Sequence, residues 1–239
     1  MDKNSGKLVV LGVCAHPDDL DAGAGGTFAK WAKEGAECHY LICTDGGRGS
    51  VDPTISSKKL MEIRKKEQLA AGKILGLKGV HFLDYKDMEL VPDMGLKRDI
   101  VKYIRKLKPD VVVTTDPTFV YSKMGFINHS DHRAAGLATI DAIYPLAKNS
   151  FAFKELERAG LKPHRVKVIY LINFAEGNEF VDISKTMDLK VRAIAEHRTQ
   201  GLSRNAEMFR RIGGMVGKKA GYKYAELFVK IDLEHALNR

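Results

Sequence analysis

The sequence predicts an α/β fold, a Rossmann-like three-layer arrangement around a mainly parallel sheet. Three observations carry this. Short runs rich in β-branched residues alternate with segments of helical periodicity along the whole chain. Repeated strand–helix units of that kind build parallel sheets with right-handed crossovers, covered by helices on both faces. At 239 residues, with no linker, low-complexity stretch or internal repeat, the chain fits one domain spanning 1–239.

The elements follow in order. Lys7-Leu8-Val9-Val10-Leu11-Gly12-Val13-Cys14 reads as a buried strand, and a helix over 20–34 follows it, opened by Ala22-Gly23-Ala24-Gly25-Gly26. A strand over 36–43 leads into a glycine-rich loop, Asp45-Gly46-Gly47-Arg48-Gly49. Pro53 delays the next helix; Ser56-Ser57 offer N-caps for a helix over 58–75 that stops at Gly76. Val80–Leu83 predicts a third strand, and Leu96, Ile100, Ile104 and Leu107 mark a helix over 95–107. Strands are expected over 110–115 and 166–172, with a helix over 133–147 between them whose Ala and Gly content suits close packing on the sheet. Helices over 184–197 and 204–216 precede a closing edge strand or cover at 224–233.

Composition narrows the function. No apolar run is long enough to span a bilayer, and the first six residues carry no signal-peptide pattern. The three cysteines, Cys14, Cys38 and Cys43, lie in apolar runs without C-x-x-C spacing, so they read as small buried residues in a reducing cytoplasm. The net charge of +9 comes from basic clusters on helices: Lys58-Lys59, Arg64-Lys65-Lys66, Arg105-Lys106-Lys108, Arg210-Arg211 and Lys218-Lys219. These read as solvated helix faces. No nucleic-acid motif accompanies them, and no nucleic-acid partner is expected.

Two clusters carry chemistry, His16-Pro17-Asp18-Asp19 and His129-Ser130-Asp131-His132. Each follows a predicted buried strand. The carboxyl ends of parallel strands gather at one edge of the sheet, where ligands bind, so the two clusters can converge. Two imidazoles and one carboxylate make a catalytic zinc set with a position open for water. Pro17 fixes its own φ and holds His16 extended. Asp18 and Asp19 are adjacent, so one can bind metal while the other faces substrate; either could equally cap a helix. His129 and His132 sit at i, i+3 at a helix start that Ser130 or Asn128 could cap. Both could bind metal, or one could meet a developing oxyanion with Asp131 favouring its protonated form. Arg64 and Glu67 share a helix face and read as a buried ion pair, while Arg48 lies on the ligand edge, where it could clamp a polar substrate.

Ala15-His16-Pro17-Asp18-Asp19 with Gly25-Gly26-Thr27 resembles the opening motif of the LmbE-like, or PIG-L, zinc-dependent deacetylases. Arg64-Lys65-Lys66-Glu67, His129-Ser130-Asp131-His132-Arg133-Ala134, the set Lys190, Ala193, His197, Gln200, and Ala225-Glu226-Leu227-Phe228 are similar to further blocks of that family, in the same order. The resemblance implies removal of the acetyl group from an N-acetylglucosamine-type amide. It implies one Zn²⁺ or other divalent metal on His16, Asp19 and His132, with Asp18 as general base. His129 then stabilises the tetrahedral intermediate, and Asp131 orients it. Some relatives carry a tyrosine two residues before the first histidine of the second block, where this chain has Ile127. An amidase acting on a larger amide conjugate of an amino sugar is the alternative. The expected partners are a small amino-sugar substrate and further copies of the chain in a homo-oligomer.

Overall fold

Among the described residues seven strands form one sheet, in the order β3-β2-β1-β4-β5-β7-β6. The computed structural model describes residues 6–50, 52, 54–121, 125–173 and 176–236; Pro53 and residues 1–5, on which two expectations above rest, lie outside them. The strands are β1 (Val9–Cys14), β2 (Glu37–Thr44), β3 (Gly79–Tyr85), β4 (Val111–Thr115), β5 (Val168–Ile172), β6 (Glu179–Asp182) and β7 (Ala225–Asp232). The main helices are α1 (Asp19–Lys33), α2 (Ser57–Leu75), α3 (Met94–Leu107), α4 (Ser130–Asp141), α5 (Lys154–Arg158), α6 (Met187–Ala195) and α7 (Leu202–Ala220).

β1, β2, β3, β4 and β5 pair in parallel, while β7 runs antiparallel to both β5 and β6. The α/β three-layer expectation therefore holds. The 224–233 segment is not an edge strand: it is wedged between β5 and β6, and the four-residue β6 forms the edge. β6 has only four residues after a loop and carries no apolar run, so hydrophobic patterning did not reveal it.

Two apolar layers hold the sheet. One packs Val10, Phe28, Tyr40 and Ile42 against α1, α2 and α6; the other packs Leu11, Leu41, Ile100 and Val112 against α3 and α4. β1 is an interior strand between β2 and β4, with Val10, Leu11 and Val13 fully buried. Burying a side chain of that size contributes roughly 1.5–3 kcal/mol, and a one-residue slip would move each to the wrong layer. The caps of α2 match the sequence: the Ser56 side chain accepts from the Lys59 amide, and Gly76 closes the helix at φ 80°.

α4 approaches β4 closely because Gly136 has no side chain; a Cβ there would strike the Thr115 carbonyl oxygen. Beyond α4 the chain winds on over 142–147, broken at Tyr144 ahead of Pro145. All three cysteines are buried free thiols. Most of the basic clusters are solvated as expected, but Arg64 and Arg105 are not. Arg105 is 1% exposed, and its guanidinium donates to the carbonyls of Leu146, Ala147, Asn149 and Ala152. These carbonyls surround the buried guanidinium with acceptors in place of water, as a buried cation requires.

The chain reverses direction in the sheet at β1. It winds outward through β2 and β3, then crosses back to place β4 on the other side of β1. The crevice between the carboxyl ends of β1 and β4 is the switch point, the place where an open α/β sheet binds ligands.

Candidate metal centre and active site

The first arm is the turn from β1 to α1. Asp18 takes φ 98°, ψ −28°, and α1 begins at Asp19. The turn is tied down from three sides. The Thr44 amide and hydroxyl both donate to the Ala15 carbonyl, at 2.8 and 2.9 Å. The His16 amide donates to Asp19 Oδ2 at 2.8 Å, and the Asp18 amide donates to Gln68 Oε1 at 2.8 Å. Arg64, 3% exposed, reaches in from α2 and donates to Pro17 O at 2.8 Å and Gly46 O at 3.0 Å, with Asp18 Oδ2 at 3.5 Å. The expected Arg64–Glu67 pair therefore does not form: Glu67 instead accepts from the Thr199 amide and hydroxyl. Buried carbonyls of the turn claim the guanidinium.

The second arm is the loop from β4 to α4. Asn128 is fully buried; its amide donates to Val120 O and its side-chain NH₂ to Phe119 O, which leaves its Oδ1 facing His132 Nδ1 at 3.1 Å. The cap of α4 is His129, not Ser130 or Asn128: His129 Nδ1 accepts from the Asp131 amide at 3.1 Å. The Asp131 carboxylate turns elsewhere. Its Oδ2 accepts from the Met88 amide at 2.7 Å and contacts His16 Nε2 at 3.2 Å.

The arms meet at one point. His16 Nδ1 faces His132 Nε2 at 3.2 Å, and His132 Nε2 faces Asp19 Oδ1 at 3.1 Å. Ligand atoms of His16, Asp19 and His132 all lie within 4.8 Å of one another. Two imidazole nitrogens aimed at each other cannot both carry protons comfortably, and a shared cation resolves that. Each ring also has its other nitrogen against an oxygen: His16 Nε2 touches Asp131 and Asp87 (3.1 Å), and His132 Nδ1 touches Asn128. This is how metal-binding histidines are oriented, and the donor set fits a divalent ion of the zinc type. A second cluster, His16, His129 and Asp131, shares His16 with the first. Its closeness follows from Asp131 orienting the His16 ring.

The electrostatics agree. Burial works against a charged His16, yet Asp19, Asp131 and Asp87 overcome it and push its pKa up to about 12. Burial would raise Asp19, but His132 and His16 hold it well below the usual carboxylate range. Asp87 is drawn down to about 2 despite burial, by His16 first and then by the Arg48 amide and Arg64. The pocket concentrates negative charge that protons balance where no cation does. Asp18 goes the other way: burial and then the Asp19 charge push its carboxyl up to about 6, against the pull of Arg64. Burial and the neighbouring His16 lower the pKa of His129 more than Asp131 raises it.

His16, Asp18, Asp19, His129, Asp131 and His132 thus gather at one edge. Arg48 stands beside them but is engaged: its guanidinium donates to Glu89 Oε1 at 2.5 Å and to Asp87 O at 3.1 Å. Sequence reasoning missed Asp87 and Gln68. Asp87 follows β3 on the same carboxyl edge, and that position was the available signal.

Fold and site define a metal-dependent hydrolase on a Rossmann-like sheet. The PIG-L family model, described as GlcNAc-PI de-N-acetylase, matches residues 11–143. The chain is 36% identical over 221 residues, 91% of its length, to a diacetylchitobiose deacetylase of Thermococcus kodakarensis, covering 80% of that protein. It is 29% identical to a mycothiol S-conjugate amidase of Streptomyces coelicolor, over 53% of this chain and 48% of that one. The structure of an N,N'-diacetylchitobiose deacetylase from Pyrococcus horikoshii, complexed with its inhibitor, superposes with a TM-score of 0.86 at 33% identity, covering 94% of this chain and 84% of that one. This chain belongs to the PIG-L family and is a metal-dependent deacetylase of N-acetylglucosamine-type substrates.

Proposed function

We propose that the chain hydrolyses the acetamido group of a small N-acetylated amino sugar, with N,N'-diacetylchitobiose the first substrate to try. In this reading His16, Asp19 and His132 hold one zinc ion and Asp18 is the general base. The observation that carries it is the convergence of those three ligand groups within 4.8 Å, with Asp18 immediately beside them. The relationship to diacetylchitobiose deacetylases supports the choice of sugar.

A bound divalent ion supplies Lewis acidity toward the amide carbonyl and makes water acidic enough to attack near neutral pH. The residues do the rest. Asp18, with its carboxyl pushed up to about 6, is poised to take a proton from the attacking water and to hand it to the departing amine. His129 has its Nδ1 occupied by the Asp131 amide, so the proton of its neutral ring sits on Nε2. That N–H is the donor we assign to the oxygen of the tetrahedral intermediate. Asp131 acts on His129 through its backbone and on His16 through its carboxylate. Arg48 is assigned to the rim, holding the 86–89 loop and meeting the sugar. Zinc rather than iron or cobalt, a cytoplasmic location and a homo-oligomeric assembly belong to the same proposal.

The test is release of free amine and acetate by metal-loaded protein from N-acetylglucosamine, N,N'-diacetylchitobiose and larger amide conjugates of amino sugars. Amine release from the small sugars is expected. Release only from the larger conjugates would move the reading to an amidase, and no release from any of them would overturn it.

A further inference from the structure

His197 belongs to a sequence block that the metal chemistry leaves unused, and the structure places it in a buried chain of hydrogen bonds ending at Asp18. His197 Nε2 meets Asp21 Oδ2 at 2.6 Å; Gln68 Nε2 donates to the same oxygen at 2.9 Å; Gln68 Oε1 accepts the Asp18 amide at 2.8 Å. His197 and Asp21 are 0% exposed and Gln68 is 1% exposed. The three come from different elements: Asp21 from α1, Gln68 from α2, and His197 from the segment after α6.

We propose that Gln68 is a positioning residue for the general base, holding the Asp18 backbone in the turn that sets its carboxyl beside the Asp19 ligand; this rests on the assignment of Asp18 as base. Two features carry it. Asp18 sits at φ 98°, ψ −28°, a conformation that L side chains resist and that persists only when its surroundings impose it. The Gln68 amide has only one workable orientation. Its NH₂ must face Asp21, already fixed by His197, so its carbonyl must face the Asp18 N–H.

The cluster is also costly. Asp21 Oδ1 and His197 Nδ1 are buried without hydrogen-bond partners among the described residues. Apolar packing of the same volume would avoid that cost. What the polar arrangement provides is direction: it fixes one amide at one place.

Gln68→Met keeps the side-chain length and removes both hydrogen bonds. We expect metal content and KM close to the parent and kcat lower by about 10²-fold, the scale of a misplaced catalytic group. The discriminating measurement repeats the substitution in an Asp18→Asn background. If Gln68 acts through the base, it has nothing left to position there, and kcat should fall no further. A second fall of the same size, or loss of metal from the single variant, would overturn the proposal. If Asp18→Asn keeps full turnover, the base assignment fails first and this proposal falls with it. His197→Phe attacks the same chain at its far end. It should lower kcat in the same sense but by less, again only when Asp18 is present, and it serves if Gln68→Met does not fold. An effect of His197→Phe that persists without Asp18 would also count against the proposal.

Discussion

Four residues, 15–18, separate β1 from α1 and carry His16 and Asp18; fourteen, 116–129, separate β4 from α4 and deliver His129 with His132 just beyond. The short arm is buried and pinned by Thr44, Gln68 and Arg64. The long arm is anchored at its two ends, by Asp116, which accepts from Thr118 and Asn173, and by Asn128, and between them it exposes Val120, Tyr121, Phe126 and Ile127, the last at 75%. The difference separates two tasks. The residues assigned as base and as two of the ligands sit in or beside the short, tied-down turn, while the longer loop delivers the group assigned to the developing oxyanion, with the third assigned ligand just beyond it in α4.

The hardest blow to this division is removal of a ligand that bridges the arms. His132→Ala should lose metal and activity together, measured by elemental analysis and amine release. Full metal occupancy in that variant would mean the short arm binds the ion without the long one. Next is Asp18→Asn, which should keep the metal and lower kcat by roughly 10²–10⁴-fold. The base must be ionised to act. With its carboxyl pushed up to about 6, kcat/KM should fall as pH drops through that region, and a bound cation can move this limb only downward. The limb should disappear in Asp18→Asn; its survival there would assign it to another group.

His129→Ala tests the long arm. Metal should remain, because His129 is not among the three converging ligand groups, and kcat should fall by about 10²–10³-fold, the usual cost of one oxyanion donor. Metal loss instead would make His129 a ligand. The smallest effect is expected at the rim. The Arg48–Glu89 pair is 43% and 50% exposed, and solvent screens so exposed a pair until it contributes little. Arg48→Ala should raise KM by no more than about tenfold, the loss of one hydrogen bond, with kcat unchanged. A collapse of kcat would place Arg48 among the catalytic groups.

The two arms were also unequally legible in the sequence. The two clusters holding His16, Asp19 and His132 stood out because strand periodicity places both at the sheet edge, while the choice of these three as ligands over Asp18 and His129 came from the resemblance to the family. Asp131 was visible as a residue, but not the division of its backbone and carboxylate between His129 and His16. Gln68 was invisible. A glutamine on a helix of Lys, Arg and Glu carries no chemical signature, and its contact with Asp18 spans 50 positions. Arg64 was misread for a related reason: helical spacing pairs it with Glu67, whereas the carbonyls it serves lie in turns that no local pattern brings near. Burial alone distinguished Arg64 and Arg105 from the solvated cations around them.

The insertion of β7 between β5 and β6 bears on how the chain assembles. Until residues 225–232 arrive, β5 is an open edge of entirely apolar sequence, Val168 to Ile172, with its outward backbone groups unpaired. Such an edge is a template for intermolecular pairing. In the same interval the buried Lys190 ammonium lacks its Glu226 carboxylate, which also receives the Gly26 and Thr27 amides of α1. A nascent or truncated chain stopped before Ala225 would contain the residues assigned to the metal and to the base, yet present an aggregation-prone face.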